Sequence, residues 1–127
     1  MQKALRTLAF FPNAQKDIGL RLTRDALAVL ADCSTELRLP RSMRASLEDM
    51  IPANAVFVSD DVLFPGADCA VVLGGDGSVI KAASSCADLG IPILGINLGR
   101  VGYLAELEQN ELHLLPRLCR GEYRVER

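Results

Sequence analysis

The sequence predicts an α/β fold, in which a mostly parallel β-sheet carries helices on both faces. Short apolar runs alternate with segments of helical periodicity, which is the pattern of a parallel sheet with helical crossovers. The central strand candidates lack polar alternation, as expected for strands that are covered on both sides. Half of the 127 residues are apolar, aromatic residues are few and tryptophan is absent, so a single domain with an aliphatic interior is expected.

The first predicted unit is a strand, a helix and a second strand. Leu5–Phe11 is a short apolar run that ends at Pro12. Apolar residues then recur at helical spacing, namely Ile18, Leu22, Ala26, Val29 and Leu30. Asp17 can cap this helix, and Lys16 is either solvated or placed to meet an anion. Thr35–Leu39 is the second strand, which Pro40 closes.

A less regular stretch follows the second strand. Arg41–Ile51 places Met43, Leu47, Met50 and Ile51 on one side, which predicts a short amphipathic helix. Ala55–Val58 is a candidate minor strand. Ser59-Asp60-Asp61 could bind a metal, but adjacent acidic residues in a loop more often lie in solvent or cap a helix. Pro65-Gly66 is predicted to form a turn.

The second half of the sheet is predicted from two purely apolar runs. Ala70–Leu73 gives the third strand, and Ile91–Ile96 gives the fourth. Between them, Ser78–Leu89 is rich in small residues, so this helix can lie close to the sheet. Gly90 and Pro92 end it.

The last predicted helix, Glu108–Arg120, turns Leu112, Leu115, Leu118 and Cys119 inward. Pro116 must either kink this helix or begin a separate turn. His113 is the only histidine, and its position favours a surface or partly packed side chain over a catalytic base. After Gly121 a β-like alternation begins and the sequence stops, so we expect an α/β domain that is interrupted at this edge.

Charge and cysteine content restrict the function classes. The formal net charge of −2 gives no electrostatic reason to expect nucleic acid or an anionic membrane as a partner. The four cysteines, Cys33, Cys69, Cys86 and Cys119, lack zinc-site spacing, so buried thiols in a reducing cytosol are expected. No apolar run is long enough to span a bilayer, and the first residues lack a signal-peptide cleavage pattern. A cytoplasmic protein is expected.

The segment Gly74-Gly75-Asp76-Gly77-Ser78 lies between the third strand and the following helix. Glycines there allow a ligand to reach the free N–H groups at the helix N-terminus, where the helix dipole favours phosphate. The carboxylate of Asp76 would repel bare phosphate, so it should hold a metal ion, another cation or a hydroxyl. The alternative is that the glycines only permit a tight turn and that Asp76 caps the helix.

A second glycine-rich segment, Gly95–Tyr103, follows the fourth strand. Ligands bind at the carboxyl ends of parallel strands, so two such segments on neighbouring strands would face one crevice. Neither segment is the dinucleotide fingerprint of a dehydrogenase, because Asn97 stands where the first glycine would be. A G-x-x-x-x-G-K-[ST] loop is also missing, which disfavours P-loop nucleotidases.

At these residues the sequence resembles the NAD kinases, which phosphorylate the adenosine-ribose 2′-hydroxyl of NAD to give NADP. The matching segments are Phe11-Pro12-Asn13 with Lys16-Asp17, Gly74–Lys81, Gly95–Leu104 and Gly121-x-Tyr123. The first glycine motif also occurs in phosphofructokinases and lipid kinases, whereas the pair at this separation is specific. The resemblance implies a Rossmann-like N-terminal domain.

The resemblance also implies roles for individual residues. Asp76 would hold or deprotonate the 2′-hydroxyl, while Ile80 and Tyr103 would line the adenosine pocket. Ser78 stands where threonine is commoner, and Tyr103 where phenylalanine is. Ligand contacts are implied for Gly74, Gly75, Gly77, Ser78, Ile80, Lys81, Asn97, Gly99, Arg100 and Tyr103.

Phosphoryl transfer requires alignment and charge neutralisation, because its transition state is loose. Asp76 would align the hydroxyl, and Mg²⁺ or another divalent cation on the phosphates of ATP or polyphosphate would neutralise charge.

The family's β-rich C-terminal domain, with its Asn-Glu motif, has no counterpart in residues 1–127. We therefore expect an isolated domain or a truncated product, and we expect the full-length protein to be a homo-oligomer. The alternatives are another kinase with a Gly-Gly-Asp-Gly loop, acting on a sugar phosphate or a lipid, and a nucleotide-binding domain that is inactive alone.

Overall fold

A computed structural model describes residues 5–74, 76–97, 106–107 and 109–120. Within these residues six parallel strands form one sheet in the order β3-β2-β1-β4-β5-β6. The strands are β1 (Thr7–Pro12), β2 (Glu36–Pro40), β3 (Ala55–Val58), β4 (Cys69–Gly74), β5 (Ile93–Asn97) and β6 (Glu106–Leu107). The predicted α/β fold is confirmed, and the strand order is that of a doubly wound Rossmann-type sheet. Only the two-residue β6 was not predicted.

Helices cover both faces of the sheet. The α-helices are α1 (Arg21–Leu30), α2 (Asp76–Cys86) and α3 (Leu115–Cys119). α1 and α3 pack on one face against Leu8, Phe10 and Val71, whereas α2 packs on the other against Ala9, Ala70 and Val72. β4 is buried along its whole length, because it lies between the two layers of helices.

The start of α1 depends on a buried carboxylate. Gly19 and Leu20 adopt left-handed conformations (φ 67° and 56°), which turn the chain back over Asp17. Its Oδ1 accepts the N–H of Leu22 at 2.8 Å, and its Oδ2 accepts the N–H and hydroxyl of Thr23 at 2.9 and 2.8 Å. The predicted cap is confirmed. Ile18 was wrongly placed on the buried face, because it lies in the turn before the helix and is 71% exposed.

We therefore expect Asp17→Ala to lower the free energy of unfolding by about 2–4 kcal/mol, because buried donors lose their acceptor. Asp17 is only 3% exposed, so water cannot replace the carboxylate fully. Asp25→Ala, at an exposed position of the same helix, is the matched control and should change stability by less than about 0.5 kcal/mol. Denaturant unfolding measures both variants. Equal losses in the two would show that the buried contacts of Asp17 do not stabilise the helix.

The predicted amphipathic helix over Arg41–Ile51 is wrong. Residues Arg41–Met43 and Ala45–Leu47 form two short 3₁₀ turns instead. The carbonyl of Ser46, which an α-helix would pair with the N–H of Met50, accepts a hydrogen bond from the Arg24 guanidinium at 2.5 Å. Met50 donates to the carbonyl of Leu47. A tertiary contact therefore overrides the local periodicity.

Pro116 was predicted either to kink a helix or to begin a separate turn, and the structure places it at the start of a helix. Residues Gln109–Leu114 form a 3₁₀ segment, and α3 begins at Leu115 with the proline in its first turn, where a missing N–H has no cost. Leu112, Leu115 and Cys119 are buried as predicted, and His113 is exposed. The side chain of Leu118 and residues 121–127 lie outside the described residues.

The cysteines behave as small apolar residues. Cys69, Cys86 and Cys119 are buried, and Cys33 packs partly buried against the same core as Cys119. Burial raises the pKa of the Cys69 thiol to about 12 and also raises the pKa of Cys86 and of Cys119. These thiols are therefore protonated and poorly nucleophilic at neutral pH. Among the described residues, no helix is long and apolar enough to cross a membrane.

Candidate functional site

The geometry of the sheet defines one crevice at its carboxyl edge. β1 and β4 are neighbours in the sheet, yet the helices that follow them, α1 and α2, lie on opposite faces. The chain therefore diverges on either side of these strand ends, which is where doubly wound sheets bind ligands. Pro12 at the end of β1 pairs with Leu73 of β4.

Gly74 ends β4 in a place where a side chain does not fit. A Cβ atom there would lie 2.7 Å from Ser78 Oγ, 3.0 Å from Ser78 Cβ and 3.1 Å from Asn13 Cβ. α2 begins only two residues later, at Asp76. The first glycine of the motif is therefore required by packing, because the strand-to-helix turn presses against both β1 and α2.

Gly77 has the opposite environment. A Cβ atom built at this position meets nothing within 4 Å, and the residue is exposed in the first turn of α2. Glycine in a helix is less favourable than alanine by about 0.5–1 kcal/mol, so no local preference explains it. The open side of this turn carries N–H groups that the helix itself cannot pair. An anion could approach the backbone here.

Several backbone N–H groups in the turn after β1 are already paired. The N–H of Asn13 donates to Leu73 O at 2.9 Å, and Asn13 Oδ1 accepts the N–H groups of Gln15 and Lys16 at 3.0 and 3.3 Å. Asp17 donates its N–H to the Asn13 carbonyl at 2.8 Å. These four N–H groups are therefore not available to a ligand.

Besides Gly77, three of the expected contact residues lie in the described first half of α2. Ser78 is buried, 8% exposed, and its Oγ accepts a hydrogen bond from Asn13 Nδ2 at 2.9 Å. Ile80 is 64% exposed although it is a large apolar residue, and Lys81 is exposed beside it.

The second glycine segment leaves the sheet at the same edge. β5 is the parallel neighbour of β4, and Asn97 pairs with Gly74 in register. The prediction that both segments follow adjacent strands is therefore confirmed. Gly75, Gly99, Arg100 and Tyr103, together with the side chains of Asp76 and Asn97, lie outside the described residues, so their predicted contacts stay predictions.

Comparison with known proteins agrees with this geometry. Residues 8–123 match the model of the family described as the ATP-NAD kinase N-terminal domain. The chain belongs to this family. Over 123 residues it is 37% identical to the NAD kinase of Natranaerobius thermophilus, and over 127 residues 32% identical to that of Caldanaerobacter subterraneus subsp. tengcongensis. The alignments cover 96% and 97% of this chain but only 42% of each relative, so the chain spans about two fifths of their length.

A solved structure supports the fold. The yeast NADH kinase, determined in complex with NADH, superposes with a TM-score of 0.77 over 95% of this chain and 40% of the kinase, at 14% sequence identity. At this identity the similarity concerns the fold. The similarity therefore supports the parallel α/β fold of the described residues.

The acidic pair that was considered as a metal site has a structural explanation. Ser59 donates its hydroxyl to Asp61 Oδ1 at 2.6 Å, and this hydrogen bond lowers the pKa of the Asp61 carboxyl. Asp60 and Asp61 are exposed in a 3₁₀ turn. Within the described ranges no three His, Cys, Asp or Glu side chains come together. These acids belong to the surface, as the sequence favoured.

One residue of the crevice was not among the expected contacts. Asn13 connects the turn after β1 to the first turn of α2, because its side chain is hydrogen-bonded to both. In the sequence, Asn13 directly follows a strand that ends in proline. An asparagine at such a position is typical of a turn in which its side chain accepts hydrogen bonds from backbone N–H groups. That signal predicts a turn, but not the partner across the sheet.

Proposed function

We propose that this chain is the nucleotide-binding α/β part of an NAD kinase, which transfers a phosphoryl group from ATP or polyphosphate to the adenosine-ribose 2′-hydroxyl of NAD. The family assignment supports the reaction class. The observation that supports the proposal is the pairing of Gly74 with Asn97, because the two glycine segments then follow the ends of neighbouring parallel strands.

The first turn of α2 is proposed to bind phosphates. Its free N–H groups and the positive end of the helix dipole favour negative charge, and the open face at Gly77 allows phosphate oxygens to approach. Lys81 adds a cation one turn along the helix. Mg²⁺ or another divalent cation enters as part of the donor, on the phosphates of ATP or polyphosphate.

The acceptor nucleoside is proposed to lie beside Ile80 and Tyr103. The exposed side chain of Ile80 provides an apolar contact for adenine, and the Tyr103 ring would stack on the base. Asn97, Gly99 and Arg100 complete this side of the proposed crevice. Asp76 accepts a hydrogen bond from the 2′-hydroxyl and aims its oxygen at the phosphorus, taking the proton late in the transfer.

The remainder of the active site is proposed to come from a second, β-rich domain. The relatives are more than twice as long as the part that this chain matches, which leaves room for such a domain. Residues 1–127 would then supply one wall of the crevice. Association of the full-length protein into homo-oligomers and its location in the cytoplasm belong to the same proposal.

The test is NADP formation by the 127-residue chain and by a form extended past Arg127. Both are incubated with NAD or NADH, and with Mg·ATP or Mg·polyphosphate as the donor. We expect NADP or NADPH only from the extended form and only when a donor is present. Phosphorylation of a sugar phosphate or a lipid in place of NAD would contradict the proposal. Nucleotide binding without phosphorylation by the extended form would reduce it to a nucleotide-binding domain.

A further inference from the structure

The hydrogen bond between Asn13 and Ser78 has a fixed direction. An asparagine side chain offers one oxygen acceptor and one NH₂ donor, and these are told apart by their partners. The backbone N–H groups of Gln15 and Lys16 both point at one atom of the Asn13 amide, which must therefore be the oxygen. The NH₂ group is then the atom 2.9 Å from Ser78 Oγ, and it has to donate.

This direction determines what the Ser78 hydroxyl can do. Its oxygen is the acceptor toward Asn13, so its single proton must point elsewhere. No residue in the part of the chain that the structure describes accepts that proton. The hydroxyl lies in the first turn of α2, within the same turn as the N–H groups that face the crevice. A buried hydroxyl whose proton has no acceptor among the described residues can donate to an anionic ligand at this place.

We propose that Asn13 is a positioning residue, whose amide holds the Ser78 hydroxyl so that its proton is donated to a phosphate oxygen of the bound nucleotide. This inference rests on the proposed function, since it concerns the same crevice. The phosphate oxygen can belong to the ATP donor or to the pyrophosphate of NAD. Binding of ATP alone and of NAD alone distinguishes these sources.

The decisive variant is Asn13→Asp. A carboxylate keeps an oxygen for the N–H groups of Gln15 and Lys16, so the turn is retained. Its second oxygen now faces Ser78 and accepts the hydroxyl proton, so the hydrogen bond survives with its direction reversed. We expect an unchanged melting temperature and about 10- to 100-fold weaker binding of one nucleotide, because a charge-assisted hydrogen bond is lost.

Ser78→Ala separates this effect from the added negative charge. In the Ser78→Ala background no proton is left to redirect, so Asn13→Asp should weaken binding by less than about threefold. A loss of the same size in both backgrounds would mean that the charge alone acts, and it would overturn the proposal. The proposal would also be overturned if either Asn13→Asp or Ser78→Ala bound both nucleotides as tightly as the unchanged protein does. If Asn13→Asp does not fold, Asn13→Ala takes its place and should weaken binding when Ser78 is present but not in the Ser78→Ala background. Ser78→Thr, which keeps the hydroxyl, should retain binding.

Calorimetric titration of the extended protein with ATP and with NAD measures these affinities without turnover. The outcome is therefore separate from that of the proposed function, which fails if no NADP is formed. The inference fails if neither titration responds to the direction of the hydrogen bond between Asn13 and Ser78.

Discussion

Asp76→Asn should lower kcat for NADP formation by about 10²- to 10⁴-fold while leaving the fold intact. The amide can still accept a weak hydrogen bond from the 2′-hydroxyl, but it cannot take up the proton that leaves as the new bond to phosphorus forms. Asp76 is the first residue of α2 and lies within the glycine segment that follows β4. The KM values should change much less, because binding depends mainly on the backbone and on other side chains.

Asp88→Asn is the matched control for this prediction. Asp88 is an exposed acid in the 3₁₀ turn that follows α2, at the far end from the crevice. The same change in side-chain charge should leave kcat within about twofold there, since a surface charge at that distance is screened. Steady-state kinetics of the extended protein provides both values. Equal rates for Asp76→Asn and the unchanged protein would remove Asp76 from the mechanism.

Gly74→Ala should lower the free energy of unfolding by about 2–3 kcal/mol, because the added methyl group overpacks a closed turn. The methyl carbon would meet Ser78 Oγ at 2.7 Å and Asn13 Cβ at 3.1 Å. Neither Ser78 nor Asn13 can move away easily from the added methyl group. Ser78 is fixed in α2, and Asn13 is hydrogen-bonded to the backbone of β4 and to its own turn. Denaturant unfolding monitored by circular dichroism measures the loss.

Gly77→Ala is the control within the same motif. Its methyl group enters open space, and alanine is the better helix former, so stability should rise by about 0.5–1 kcal/mol. The same methyl group would cover the amides that are proposed to face phosphate, so ATP affinity should fall although the protein is more stable. If Gly74→Ala is as stable as Gly77→Ala, the close packing at the end of β4 is not a constraint on the fold.

The sequence predicted the class of fold and the two neighbouring strands that the glycine segments follow, because both depend on short-range patterns. Uniformly apolar runs such as Ala70–Leu73 indicate buried parallel strands, and glycines after two of them mark ligand-binding turns. Periodicity was less reliable at Arg41–Ile51, where the guanidinium of Arg24 takes the Ser46 carbonyl and two 3₁₀ turns replace the predicted helix. Ile18 was misplaced for a similar reason, because a left-handed turn precedes α1.

The sequence by itself determined that an acid lies among glycines between a buried strand and a helix. Only the tertiary structure decided that two of these glycines, Gly74 and Gly77, have different environments, since Gly74 is enclosed by Ser78 and Asn13 whereas Gly77 faces open space. It also decided that Asn13, distant in sequence, sets the direction of the Ser78 hydrogen bond. The physical reason is that packing and hydrogen-bond direction depend on neighbours from other strands, which local sequence patterns do not specify.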